Sequence, residues 1–165
     1  MYQGTYERAR SDENGPIADR DLRIAWSRDL GRAIDYLWTR RDIDRDRLAF
    51  YAVSAANGGV VLTALEPRLT TSVLSGAGIV GDVPPEWDAL NFAPRIRIPT
   101  LMLSGRYDYT DVPLETAQRP LFALLATPAE HRRLQIFETG HFLRIEDMAA
   151  EILPWLDKYL GPVVR

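Results

Sequence analysis

The sequence predicts an α/β architecture of about four parallel strands flanked by helices, and three observations predict it. Short apolar runs bounded by polar residues alternate with helix-period patterns from Asp21 onward. The runs are separated by segments long enough for the crossovers that parallel neighbours require. The residues with chemistry to offer, Ser54, Asp108 and His141, each follow an apolar run, and open parallel sheets gather reactive groups just past their strands' carboxyl ends.

The elements follow in order. The first nineteen residues are polar, with Gly4, Asn14, Gly15 and Pro16 as breakers, and read as an arm. Leu22, Trp26, Leu30, Ile34 and Leu37 then recur at steps of three or four, the stripe of a helix of about five turns. "TRRDIDRDR" closes that helix as a solvated corner. "LAFYAV" is an apolar run suited to a strand covered on both faces. "AANGGVVLTALE" reads as a helix ending before Pro67, "TTSVLSGAG" as the second strand, and "VGDVPPEWDALNFAPRI" as a Pro-rich connector with a short helical turn near Trp87. "PTLMLSG" is the third strand, and "PLETAQRPLFALLATP" a helix interrupted or kinked at Pro120. "RRLQIF" is the fourth strand; "EDMAAEILPWLDKYLG" is an amphipathic helix that Pro154 is expected to bend or divide.

Bulk composition narrows the function classes. A length of 165 residues suits one domain (1–165) with a core of its own. A net charge of −3 gives no general attraction to nucleic acid or anionic lipid. The absence of cysteine excludes disulfides and thiolate metal sites. "MYQGTYERARSDENG" lacks the apolar centre of a signal peptide, and no apolar run approaches membrane-spanning length. The expectation is a cytoplasmic domain with no nucleic-acid or membrane partner.

The strand ends carry a serine, an acid and a histidine in that chain order. A serine hydroxyl attacks poorly unless an imidazole takes its proton, and the imidazole needs a carboxylate to fix its tautomer. Separately, Ser54 reads as a helix N-cap, Asp108 as a loop anchor and His141 as a surface histidine; together they read as a nucleophile, an orienting acid and a base. His131, in "TPAEHRRL", reads as solvated. Two distant histidines and no cysteine make no metal-ligand set, so no metal or other cofactor is expected.

"RDIDRDRLAFYAVSAANGG", "PRIRIPTLMLSGRYDYTDVP" and "FETGHF" together resemble the charged turn, nucleophile elbow, acid loop and histidine loop of α/β-hydrolases. The type is that of dienelactone hydrolases and prolyl-oligopeptidase-like enzymes. The similarity runs over nearly the whole chain, from about Tyr2. "LNFAP", "GRYD" and "WLDKYLGPV" are similar to hydrolase modules attached to bacterial serine/threonine kinases. The resemblance implies a truncated α/β-hydrolase fold that lacks the N-terminal strands. It also implies Ser54 as nucleophile, Asp108 rather than Asp111 as the acid, His141 as base, and the Ala55 N–H as one oxyanion donor. That amide would lie at a helix N-terminus, where donors are unpaired.

The sequence departs from the family in two ways. The elbow reads "AVSAA", with Ala52 and Ala56 where glycine is usual. The segment before Leu48 has room for one helix and the arm, so the loop that supplies a second oxyanion N–H has no counterpart. A substitute could come from Tyr2–Arg10, from the hydroxyl of Tyr107 or Tyr109, or from another subunit. The strand 48–53 would have a free edge, which invites a homodimer paired across it, unless the arm covers it. The expected reaction is cleavage of short-chain esters, small-molecule substrates, through an acyl-serine. Ile79, Val80, Trp87, Tyr107, Tyr109 and Phe142 are candidate pocket residues. An inactive relic serving as an interaction module, and a small peptidase, are the alternatives.

Overall fold

A computed structural model describes Gly4, residues 15–54, 56–109 and 112–162, with residues 16, 56 and 57 described by backbone alone. Five α-helices and four strands run along these residues: α1 Pro16–Thr39, β1 Ala49–Val53, α2 Ala56–Leu65, β2 Thr71–Ser75, α3 Ala89–Phe92, β3 Thr100–Gly105, α4 Arg119–Leu124, β4 Arg132–Phe137 and α5 Ile145–Leu160. The strands form one parallel sheet in the order β1-β2-β3-β4. Its register aligns Tyr51 with Val73 and Val73 with Leu101, and on the opposite face Ala52 with Leu74 and Leu74 with Met102.

That alternation divides the core between the two faces. Leu74 and Met102 pack with Val60 and Val61 of α2, with Phe92 of α3 and with Leu121 of α4. Val73, Leu101 and Leu103 pack under Trp155 of α5. The Trp155 indole N–H also donates to Thr71 Oγ1 at 2.8 Å inside the protein, so the polar atoms there are paired. α1 lays Leu30 and Ile34 on Leu48, Leu62 and Leu69, with Trp26 and Leu37 packed beside them, along the stripe the sequence predicts.

The strand runs are where the sequence puts them, two helical details differ and a third takes a form the sequence did not specify. α1 starts at Pro16, so the helix takes in the last residues of the predicted arm. Pro16 acts as a helix starter, because its fixed φ suits a first turn whose N–H groups have no intrahelical partner anyway. α5 runs unbroken through Pro154. That proline is exposed, so the carbonyl it leaves unpaired one turn back has access to water. The segment before α4 is a π-helical turn, Leu114–Gln118, and the change to α-helix beside Pro120 is the predicted interruption.

β2 and β3 are buried along their whole length, but β1 alternates between exposed and half-buried. Among the described residues nothing pairs with its outer edge. Tyr51 and Val53, on the α5 side, are 46% and 43% exposed. No helix among the described residues is long and apolar enough to cross a membrane.

Candidate active site

Ser54 leaves β1 with φ at 55°, in the left-handed region that a non-glycine residue adopts only under local constraint. Its N–H donates to Ser75 O at 2.9 Å, which holds the turn against the end of β2. α2 begins two residues later, so the serine sits on a sharp strand-to-helix bend. Crowding at Ala52 is relieved across the helix: a methyl group on Gly59 would lie 2.8 Å from Ala52 Cβ. Ala52 occupies the space that Gly59 leaves, which is how this elbow takes alanine at its first small position.

Two other glycines bring the remaining groups together. β3 and β4 end side by side, and their loops are stitched by Arg106 N–H to Phe137 O at 2.8 Å and Tyr107 N–H to Thr139 O at 2.9 Å. A Cβ on Gly105 would lie 2.0 Å from the Gly140 carbonyl oxygen, so the acid and histidine loops touch through bare backbone. Gly76, with φ at 64°, lies under the imidazole, where a Cβ would come 3.0 Å from His141 Cε1.

The three side chains meet on that floor. His141 Nε2 is 2.6 Å from Ser54 Oγ, and His141 Nδ1 is 2.7 Å from Asp108 Oδ2. A carboxylate only accepts, so Nδ1 carries the proton of a neutral ring and Nε2 faces the serine hydroxyl with its lone pair. The Asp108 side chain is wholly buried, His141 is mostly buried and Ser54 is exposed. Such a run can pass the hydroxyl proton to the imidazole while the carboxylate balances the imidazolium charge.

The buried acid has a further partner. Gln118 Nε2 donates to Asp108 Oδ2 at 3.1 Å and to the Val112 carbonyl at 2.7 Å. Outside the site, Glu138 accepts from Arg106 Nε at 2.5 Å and from the Tyr107 hydroxyl at 2.8 Å. The Arg106 guanidinium, then the tyrosine, hold the Glu138 carboxyl below the usual range, and the same contact raises the Tyr107 phenol.

The remaining candidates are spread more widely. Phe142 is 73% exposed, with its ring edge-on to His141 at 4.9 Å, and Tyr109 is 79% exposed and beside Tyr107. The Tyr107 hydroxyl is committed to Glu138, which removes it as a ready oxyanion donor. Ile79 packs on the core, and its N–H donates to Ala117 O. Trp87 is buried with its face on Arg23, in a cleft of about 330 Å³ lined also by α1 and α2, and Ser54, Asp108 and His141 are not among the lining residues. His131 lies 3.1 Å from the Tyr159 hydroxyl instead of standing in solvent. Ala55 and Asp111 fall outside the described residues, as does the Tyr2–Arg10 arm except Gly4. Among the described residues no group of three or more histidine or acidic side chains could hold a metal ion.

Sequence reasoning missed Gln118, Gly59 and Gly76. Gln118 did leave a signal: it interrupts the stripe Leu114, Leu121, Leu125, all buried, with one polar residue at a core position.

No protein-family model and no curated protein sequence matches the chain. Solved structures do. A cold-adapted esterase from an Arctic intertidal metagenomic library shares 21% identity at a TM-score of 0.68, over 86% of this chain and 60% of that one. Acetyl xylan esterase 1 from a Thermoanaerobacterium species shares 16% at a TM-score of 0.68, over 90% and 59%. The monoacylglycerol lipase of Paleococcus ferrophilus shares 13% at a TM-score of 0.64, over 83% and 76%. The chain therefore has an α/β-hydrolase fold, in a four-stranded form that spans about 60% of the length of the two esterases. The narrower similarity to kinase-attached modules rests on the sequence motifs alone.

Proposed function

We propose that the protein is a serine hydrolase of short-chain carboxylic esters. One observation carries the reading: Ser54 Oγ, His141 and Asp108 form a continuous hydrogen-bonded run with contacts of 2.6 and 2.7 Å. As Oγ attacks the ester carbonyl, its proton passes to His141 Nε2 and the carbonyl electrons move onto oxygen. Collapse of this tetrahedral intermediate breaks the bond to the alcohol, which leaves with the proton from Nε2. Water then adds to the acyl-serine and gives its proton to Nε2; the second collapse returns it to Oγ and frees the acid. The Ala55 N–H, first in the chain after the nucleophile, is the proposed oxyanion donor.

Esters suit this site better than amides, whose poorer leaving groups demand more oxyanion stabilisation. Exposed Phe142, edge-on to His141, favours a short acyl group held at an open rim, with the exposed Tyr107 and Tyr109 as further proposed contacts. A second copy is the proposed partner, joined along the edge of β1 that no described residue pairs with.

Hydrolysis of p-nitrophenyl acetate and butyrate tests the reading. The expected result is turnover that falls by roughly 10⁴-fold or more in Ser54→Ala. Activity that survives the substitution would falsify Ser54 as nucleophile. An inactive wild type would favour an interaction module, and faster turnover of a peptide than of an ester would favour a peptidase.

A further inference from the structure

We propose that Gln118 is a positioning residue for the acid of this site, an assignment that rests on the serine-hydrolase reading. The Asp108 carboxylate is fully buried, and among the described residues its Oδ2 meets His141 Nδ1 and the Gln118 Nε2 donor. Gln118 is itself fully buried, and its other Nε2 proton goes to the Val112 carbonyl. One amide group therefore ties the acid to the backbone of the segment that follows its loop. The orientation of the amide is chemically fixed. Turning it over would set its oxygen against a carboxylate and a carbonyl, both acceptors.

Two features argue that packing alone does not explain this glutamine. Its Oε1 is buried with no hydrogen-bond partner, an arrangement that costs stability and that an apolar side chain of the same shape would avoid. The residue also closes a π-helical turn, Leu114–Gln118, between Pro113 and the α-helical continuation. Such turns are rare and occur frequently at functional sites. Here the residue that closes the turn reaches the acid.

The role has a pH signature. Before protonation the Asp108–His141 pair carries one negative charge, and the Gln118 donor stabilises that state. Removing the donor raises the pair's affinity for a proton, whichever atom receives it, so the acid limb of the pH profile moves up. Among the described residues His141 is the titratable group facing Asp108; Arg106 and Glu138 pair with each other at the exposed loop ends.

The experiment compares wild type, Ser54→Ala, Gln118→Met and Gln118→Glu. In Gln118→Met we expect kcat to fall about 10-fold with KM within about twofold, and the acid limb of kcat/KM to rise by roughly half a pH unit. Gln118→Glu sets a second carboxylate beside the first and should move the limb further in the same direction. Folded variants whose kcat and acid limb match the wild type would overturn the assignment. So would failure of both variants to fold, because Gln118 would then serve stability. Inactive wild type, or active Ser54→Ala, would overturn the hydrolase reading instead. In that case the low-field Nδ1 proton resonance of His141 tests Gln118 alone: a higher titration midpoint in Gln118→Met supports the role, and an unchanged one overturns it.

Discussion

Ser54 has a left-handed φ, its N–H is held by the end of β2, and Ala52 before it fills the space that Gly59 leaves. A backbone in that region costs on the order of 1–3 kcal/mol, and its surroundings must over-determine it. The fit of Ala52 against Gly59 makes the bend testable by compensation. Gly59→Ala should lower stability by about 1–3 kcal/mol and reduce ester turnover, since the new methyl meets Ala52 Cβ. Adding Ala52→Gly should recover most of both losses, which chemical denaturation and initial rates would read. Additive losses in the double variant would show that the two methyl positions do not share one space. Serine and its flanking alanines were legible in the sequence as an elbow. The partner that makes the alanine tolerable was not, because Gly59 reads as one of two glycines weakening a helix.

At the scale of elements, the site depends on two loops brought to one rim by the parallel pairing of β3 and β4. Gly105→Ala should force the Gly140 carbonyl away, cost at least about 2 kcal/mol in stability and remove most activity. Stability and turnover preserved together would contradict the close approach. The Glu138 contacts strap the same loops from outside. Its carboxyl is held low by Arg106, so its contribution is complete above the ordinary carboxylate range and fades as pH falls through the lower folded value. Glu138→Gln should therefore flatten the acid side of the stability profile, measured by melting from pH 3 to 7. The four strands could be read because each carries a few apolar residues between turn signals, Val73 and Leu74 in β2 and Leu134, Ile136 and Phe137 in β4 among them. The π-helical turn could not, since one polar residue in an apolar stripe shifts a helix only through the tertiary partner it finds.

Over the whole molecule, nothing among the described residues pairs with the outer edge of β1, and Tyr51 and Val53 are exposed on its α5 side, whereas parallel strands are ordinarily covered on both faces. A second copy pairing edge to edge would satisfy those backbone groups. Size-exclusion chromatography with light scattering should give a dimer for wild type and a monomer for Val53→Lys. A monomeric wild type would contradict the pairing. The strand itself was legible in "LAFYAV", but no residue pattern specifies what lies against its outer edge.

The central claim is that Ser54 becomes acylated, and intact-protein mass spectrometry after rapid mixing with p-nitrophenyl acetate tests it most directly. The account predicts a transient gain of one acetyl group, mapped to the Ser54 peptide and absent in Ser54→Ala. Turnover with no adduct on Ser54, or the same adduct on another residue in the variant, would contradict it.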